Sequence, residues 1–150
     1  QKIGDKAFSR CTLESITIPS TVIEIGNHAF NGCRNLREVI LNDRLQKIRD
    51  YILQLFCIRK YHTTTTVIEI GIGAFHGCSS LRFVILNDGL QKIGNYAFNE
   101  CGSLESINSP PTVTEIGNRA FQYCSNLREV IFNDGLQKIG SLTFHNCSLL

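Results

Sequence analysis

The chain contains no methionine, no tryptophan, only 3 prolines and no long apolar run. Without such a run these residues cannot supply a transmembrane helix, which needs about eighteen consecutive apolar positions. Charge of one sign is also scarce. Charged residues make up 19% and the formal net charge is +2, so composition gives no electrostatic case for nucleic acid or an acidic membrane surface. Patterns for chemistry are missing as well. His28, His62, His76 and His145 have no Ser, Cys or Asp at a fixed offset that would build a triad. The glycines do not form a G-x-G-x-x-G loop, and no C-x-x-C pair exists to begin a zinc site. Neither an enzyme nor a cofactor nor a metal centre is expected. A hydrophobic fraction of 43% still argues for a folded chain rather than a disordered one.

What the chain does have is self-similarity. Ile-Gly, then Ala-Phe, then Cys, then Leu recur at fixed offsets. Coils begin at Ile3, Ile25, Ile48, Ile70, Ile93, Ile116 and Ile139, spaced by 22 or 23 residues. Two unit types alternate, one running from Leu13 to Val22 and echoed at Leu104 to Val113, the other from Leu36 to Asp43 and echoed at Leu81 to Asp88 and Leu127 to Asp134. A duplicated two-coil block explains the alternation, and copying explains the missing methionine and tryptophan. The pattern is already running at Gln1 and still running at Leu150, so residues 1–150 read as one array cut through at both ends.

Each coil has a physical reading. Leu81, Val84 and Leu86 alternate with Phe83 and Ile85 in the period of a half-buried strand. Asn87-Asp88-Gly89 supplies turn chemistry, and Leu90 to Ile93 a second short extended piece. Gly94 suits a backbone position that an ordinary residue resists, and Asn95 is expected to cap a single helical turn carrying Ala97 and Phe98 inward. One coil cannot bury its own apolar face, so neighbours must stack, bringing like positions about 4.8 Å apart. Stacking predicts a Phe column of Phe8, Phe30, Phe75, Phe98, Phe121 and Phe144.

The pattern Ile-Gly-x-x-Ala-Phe-x-x-Cys-x-x-Leu-x-x-(Ile/Val)-x-(Ile/Leu) resembles the BspA-type leucine-rich repeats of bacterial and protist surface proteins. The resemblance covers essentially the whole chain. It implies a β-rich α/β solenoid, a right-handed coil stack of 22–23-residue repeats with a parallel strand ladder and one short helical turn per coil. It also implies cell-surface or extracellular display, adhesion, and recognition of proteins or glycans without catalysis. An intracellular interaction scaffold or receptor sensor segment, and a decaying neutral array, remain as alternatives. The sequence names no partner.

Two ladders follow from the register. Cys11, Cys33, Cys78, Cys101, Cys124 and Cys147 share one repeat position. Stacked positions about 4.8 Å apart do not suit a disulfide, whose Cβ atoms want about 3.8 Å, so buried thiols acting as small apolar residues are expected. The residue before each leading Ile alternates without a miss: Lys2, Glu24, Lys47, Glu69, Lys92, Glu115, Lys138. In register every charge lies between two of opposite sign, and a slip of one coil would set like charges together. Asn146-Cys147-Ser148 matches a glycosylation sequon whose Cys belongs to the ladder.

One coil departs from the pattern. In residues 48–69, Arg49 replaces Gly, Ile52-Leu53 replaces Ala-Phe, and Ile58 to Thr65 lacks the usual strand. Codons for Ile52 to His62 can be chosen that, read one base later, give Phe-Cys-Asn-Cys-Ser-Ala-Leu-Glu-Ser-Ile-Thr, which restores the consensus. Two compensating deletions account for this and for the period of 22 here, making Cys57, Arg59, Tyr61 and His62 scars; the competing reading is an altered coil retained for a new surface.

A partner is expected on the outward face of the strand ladder, at Arg82, Phe83 and Ile85 with Ile40 and Ile131. Val84 and Leu86 point inward, so their neighbours must point out. Phe83 is an aromatic where other intact coils carry Glu or Ser, and exposed aromatic and Arg side chains most often anchor interfaces. Drift and simple strand propensity are the competing explanation.

Overall fold

Each coil contributes two short extended segments because apolar residues alternate over only a few positions before turn residues intervene. The computed structural model describes residues 1–29, 38–40, 44–49, 60–62, 67–79, 81–86 and 88–150. In chain order the strands are β1 (Lys2–Ile3), β2 (Ser15–Thr17), β3 (Glu24–Ile25), β4 (Glu38–Ile40), β5 (Lys47–Ile48), β6 (Lys60–His62) and β7 (Glu69–Ile70). They continue as β8 (Phe83–Ile85), β9 (Lys92–Ile93), β10 (Ser106–Asn108), β11 (Glu115–Ile116), β12 (Glu129–Ile131) and β13 (Lys138–Ile139). Odd-numbered strands form one parallel sheet of seven, even-numbered strands another of six. The result is a β-solenoid in which every strand pairs with its counterpart one coil away.

Register is flush throughout. Lys2 pairs with Glu24, Glu24 with Lys47, Lys47 with Glu69, Glu69 with Lys92, Lys92 with Glu115 and Glu115 with Lys138. Side-chain ion pairs close at Lys2–Glu24 (3.3 Å), Lys47–Glu69 (3.3 Å), Lys92–Glu115 (3.4 Å) and Lys138–Glu115 (2.8 Å). The alternation read from sequence is therefore a physical ladder.

Between the sheets runs the core. Phe75, Phe98 and Phe121 are buried and stack face to face with Phe144, at ring separations of 5.0, 5.2 and 5.5 Å. Ala29, Ala74, Ala97 and Ala120 are fully buried beside them, and Phe8 packs against the core at its edge. Phe30, Cys33 and Cys57 lie outside the described residues. Cys101, Cys124 and Cys147 donate their thiols to the carbonyls of Phe75, Phe98 and Phe121 at 3.2, 3.2 and 3.1 Å. Burial pushes all three thiols up from their ordinary pKa, so they stay protonated. A sulfur with a local acceptor and no charge is a small core residue.

The expected helical turn is replaced by something different. Tyr96 and Glu100 have φ of 56° and 61°, left-handed values that no α-helix accommodates. Tyr96, Phe98 and Glu100 donate their N–H groups to Asn118, Ala120 and Gln122 of the following coil, while Ala97, Asn99 and Cys101 donate three residues back. The segment is thus a tight turn that also forms a hydrogen-bonded ladder, and it still carries Ala97 and Phe98 inward. Lys6 and Arg10, Arg119 and Tyr123, and Leu142 and Asn146 repeat the two left-handed positions; Gly73 and Gly77 occupy them in the coil that begins at Ile70.

The glycine after the leading Ile also serves another purpose than expected. Gly94 has no left-handed φ; a Cβ there would sit 2.8 Å from the Gly71 carbonyl carbon and the Ile70 oxygen. Close approach of stacked backbones, rather than conformation, requires it.

Candidate interaction surfaces

The outward face of the six-stranded sheet is built by alternation. Ile107 and Val84 are buried, whereas Ser15, Thr17, Asn108 and Ile131 are exposed. Register runs Lys60 to Phe83 to Ser106 to Glu129 in one backbone column. Thr17 pairs with Ile40, Ile40 with His62, His62 with Ile85, and Asn108 with Ile131 in the other. The backbones of Phe83, Ile85 and Ile40 thus occupy the expected positions; their side chains lie outside the described residues.

Ile131 is 48% exposed, with Phe132 beside it at 39%. Sequence reasoning missed Phe132, which stands where the preceding coil of the same type has the buried Leu86. Arg82 is exposed, but its guanidinium donates from Nε to Glu105 Oε1 at 2.9 Å, tying two coils together. An exposed pair of this kind is worth about 0–1 kcal/mol.

A second concave surface was not anticipated. Along the seven-stranded sheet, Gly71 and Gly94 leave a floor without side chains. Lys47, Glu69, Lys92, Glu115 and Lys138 wall one side, and Asn27, Ile72, Asn95 and Asn118 the other, with Arg49 also lining a space of about 370 Å³. The asparagines are held by their own rungs. Asn118 N–H donates to Asn95 Oδ1 and Ser141 N–H to Asn118 Oδ1, both at 2.8 Å, as Asn27 N–H does to Asp5 Oδ1 at 2.9 Å. Arg119 Nη1 donates to the Tyr96 hydroxyl at 2.5 Å, and both line a neighbouring depression that shares Asn95 and Asn118 with this groove. A Lys138 hydrogen bond holds the Glu115 carboxyl below the usual carboxylate range, and Arg49 does the same for Glu24. Signals for the groove were present in sequence, as a glycine column between a charged column and an amide column.

Among the described residues no group of His, Cys, Asp or Glu is placed to hold a metal ion, and no helix is long and apolar enough to cross a membrane.

Comparison with known proteins agrees with this architecture. The model of the BspA type leucine rich repeat region matches residues 1–63 and 55–150 in 6 copies. A leucine-rich repeat protein from Bacteroides ovatus is 34% identical with a TM-score of 0.88, over 99% of this chain and 39% of its own. The leucine rich repeat protein of T. pallidum is 30% identical with a TM-score of 0.91, over 99% of this chain and 71% of its own. A leucine rich cell surface protein from Faecalibacterium prausnitzii, 22% identical over 99% of this chain and 49% of its own, shares the fold with a TM-score of 0.72. No curated protein matches the chain by sequence.

Proposed function

The chain belongs to the BspA-type leucine-rich repeat family, a non-enzymatic repeat family generally used for protein interaction, and from that premise we propose that it is a binding module of a larger cell-surface protein. Its partner is a protein, bound on the outward face of the six-stranded ladder around Arg82, Phe83, Ile85, Ile40 and Ile131. The observation that supports this best is the register. It sets Phe83 and Ile85 on one rung of the six-stranded sheet, next to Arg82, whose ion pair with Glu105 lies at the surface. Surface placement rests on family resemblance alone.

The test uses a partner identified with the full array, followed by Phe83→Ser, Ile85→Thr and Ile131→Thr, residue types that exposed strands accept. Each is expected to weaken binding by about tenfold, as for an interface anchor, with circular dichroism unchanged. Unchanged binding in all three would place the partner elsewhere.

A further inference from the structure

The groove on the opposite sheet is a separate surface, and its chemistry is specific enough to identify a ligand class. Every backbone N–H of the asparagine column needs an acceptor, so the side-chain oxygens of Asn95 and Asn118 must face it. Their Nδ2 groups are thereby turned the other way, and neither has a hydrogen-bond partner among the described residues. Opposite them stand Lys92 and Lys138 as donors and Glu69 and Glu115 as acceptors. The groove spans five coils from Lys47 to Lys138, about 19 Å at ~4.8 Å per coil.

Groups that both donate and accept suit such a mixed wall, and hydroxyls do both. The charges alternate along the wall, so a polymer of one charge would meet repulsion at every second rung. An extended peptide repeats its side chains every ~6.7 Å and falls out of phase with the coils. A β-1,4-linked pyranose chain advances by one sugar in nearly the distance of one coil. Tyr96 adds a ring whose amphipathic character suits the C–H face of a sugar, fixed in place by Arg119. We infer that this groove binds a neutral β-linked polysaccharide strand laid along the stack, with Asn95, Asn118 and Tyr96 as its recognition residues.

The test titrates the full chain with cellohexaose by calorimetry and by NMR line broadening. Asn95→Asp and Asn118→Asp together retain the oxygen that accepts from the next coil, as Asp5 does naturally, and replace each outward amide donor with a charged acceptor oxygen. Saturable binding to the parent chain is expected, weakened about tenfold in the double variant and in Tyr96→Leu with the melting curve of the double variant unchanged. Phe83→Ser should leave it untouched. No saturation with cellohexaose, or equal binding by the double variant, overturns the inference. Competition by an unstructured peptide of equal length would assign the groove to protein instead and also overturn it. Loss of binding in Phe83→Ser with the double variant unaffected would move the sugar to the strand face, refuting this inference and leaving that surface's role as a binding site intact.

Discussion

Adding one methyl group at three glycines should have opposite outcomes, because the neighbours differ while the chemistry does not. At Gly117 a Cβ would lie 2.5 Å from Asn95 N, 2.6 Å from Asn95 Oδ1 and 2.6 Å from the Gly94 carbonyl carbon. Two of these atoms are backbone of the preceding coil, so relief requires the coils to part. Parting them stretches the Gly117 N–H bond to the Ile93 carbonyl, now 2.8 Å, and the rung from Asn118 N–H to Asn95. Overpacking in a well-packed interior costs about 1–3 kcal/mol, and a net hydrogen bond adds about 1 kcal/mol, so Gly117→Ala should cost about 3 kcal/mol. At Gly102 the nearest atom is Ser125 Oγ at 3.6 Å, ordinary contact, and at Gly4 nothing lies within 4 Å. Both have φ outside the left-handed region, so Ala there restricts the unfolded chain and should stabilise by about 0.4–1 kcal/mol. Urea unfolding followed by circular dichroism, with the slope held in common, measures all three. A Gly117→Ala variant within about 0.5 kcal/mol of the parent, the usual spread of harmless surface changes, would refute the claim that backbone approach dictates this column.

Ile72 stands in the asparagine column with its side chain 38% exposed and no oxygen to offer the next coil. Ile72→Asn supplies that acceptor to the Asn95 N–H and should raise stability by about 1 kcal/mol in the same urea assay. The Glu24 and Glu115 carboxyls are depressed by Arg49 and Lys138, so their contribution is present above the unfolded carboxylate pKa and lost as pH falls through the folded one. Urea midpoints should therefore drop between about pH 5 and pH 3, less steeply in Glu115→Gln and in high salt. Native Cys101 and Cys124, buried and protonated, should react with a thiol reagent only as fast as the array opens, whereas half-buried Cys147 reacts sooner. Equal rates for all three would mean the cysteine column is open to solvent.

Period and register were legible because they are carried by composition at fixed offsets. The leading Ile, the Phe column and the Lys/Glu alternation each need only counting, and stacking by like positions then follows from the exposed apolar face of a single coil. Asn95 shows where local reading stops. An Asn ahead of Ala-Phe looks like a helix cap, yet its oxygen serves residue 118, and Asn95 itself precedes a left-handed Tyr96. Capping rules describe an acceptor satisfying its own chain a few residues on; in a solenoid the nearest orphan N–H is a whole coil away. The Arg82 hydrogen bond was hidden for the same reason, since its partner Glu105 is 23 residues distant yet adjacent in space. The groove is a property of three neighbouring columns, visible only once the coil's corner is known to turn there.

The divergent coil shows which interactions enforce the stack. Its strand residues depart from the consensus, with Tyr61 where the repeat has Ile or Val, yet β6 pairs on both sides, Tyr61 with Val39 and Val84. On the opposite sheet Lys47 faces Glu69 and Ile48 faces Ile70 in unbroken register. Arg49 occupies the glycine column, donates its N–H to Ile25 at 3.1 Å and pairs its guanidinium with Glu24. A backbone ladder formed by two intact neighbours therefore positions a strand whose own side chains argue weakly for it. Consensus residues supply the packing energy, which is a sum over nearest-neighbour coils, while register is set by hydrogen bonds that any residue but proline can make. That separation is what lets a solenoid tolerate a stretch of foreign sequence at one coil.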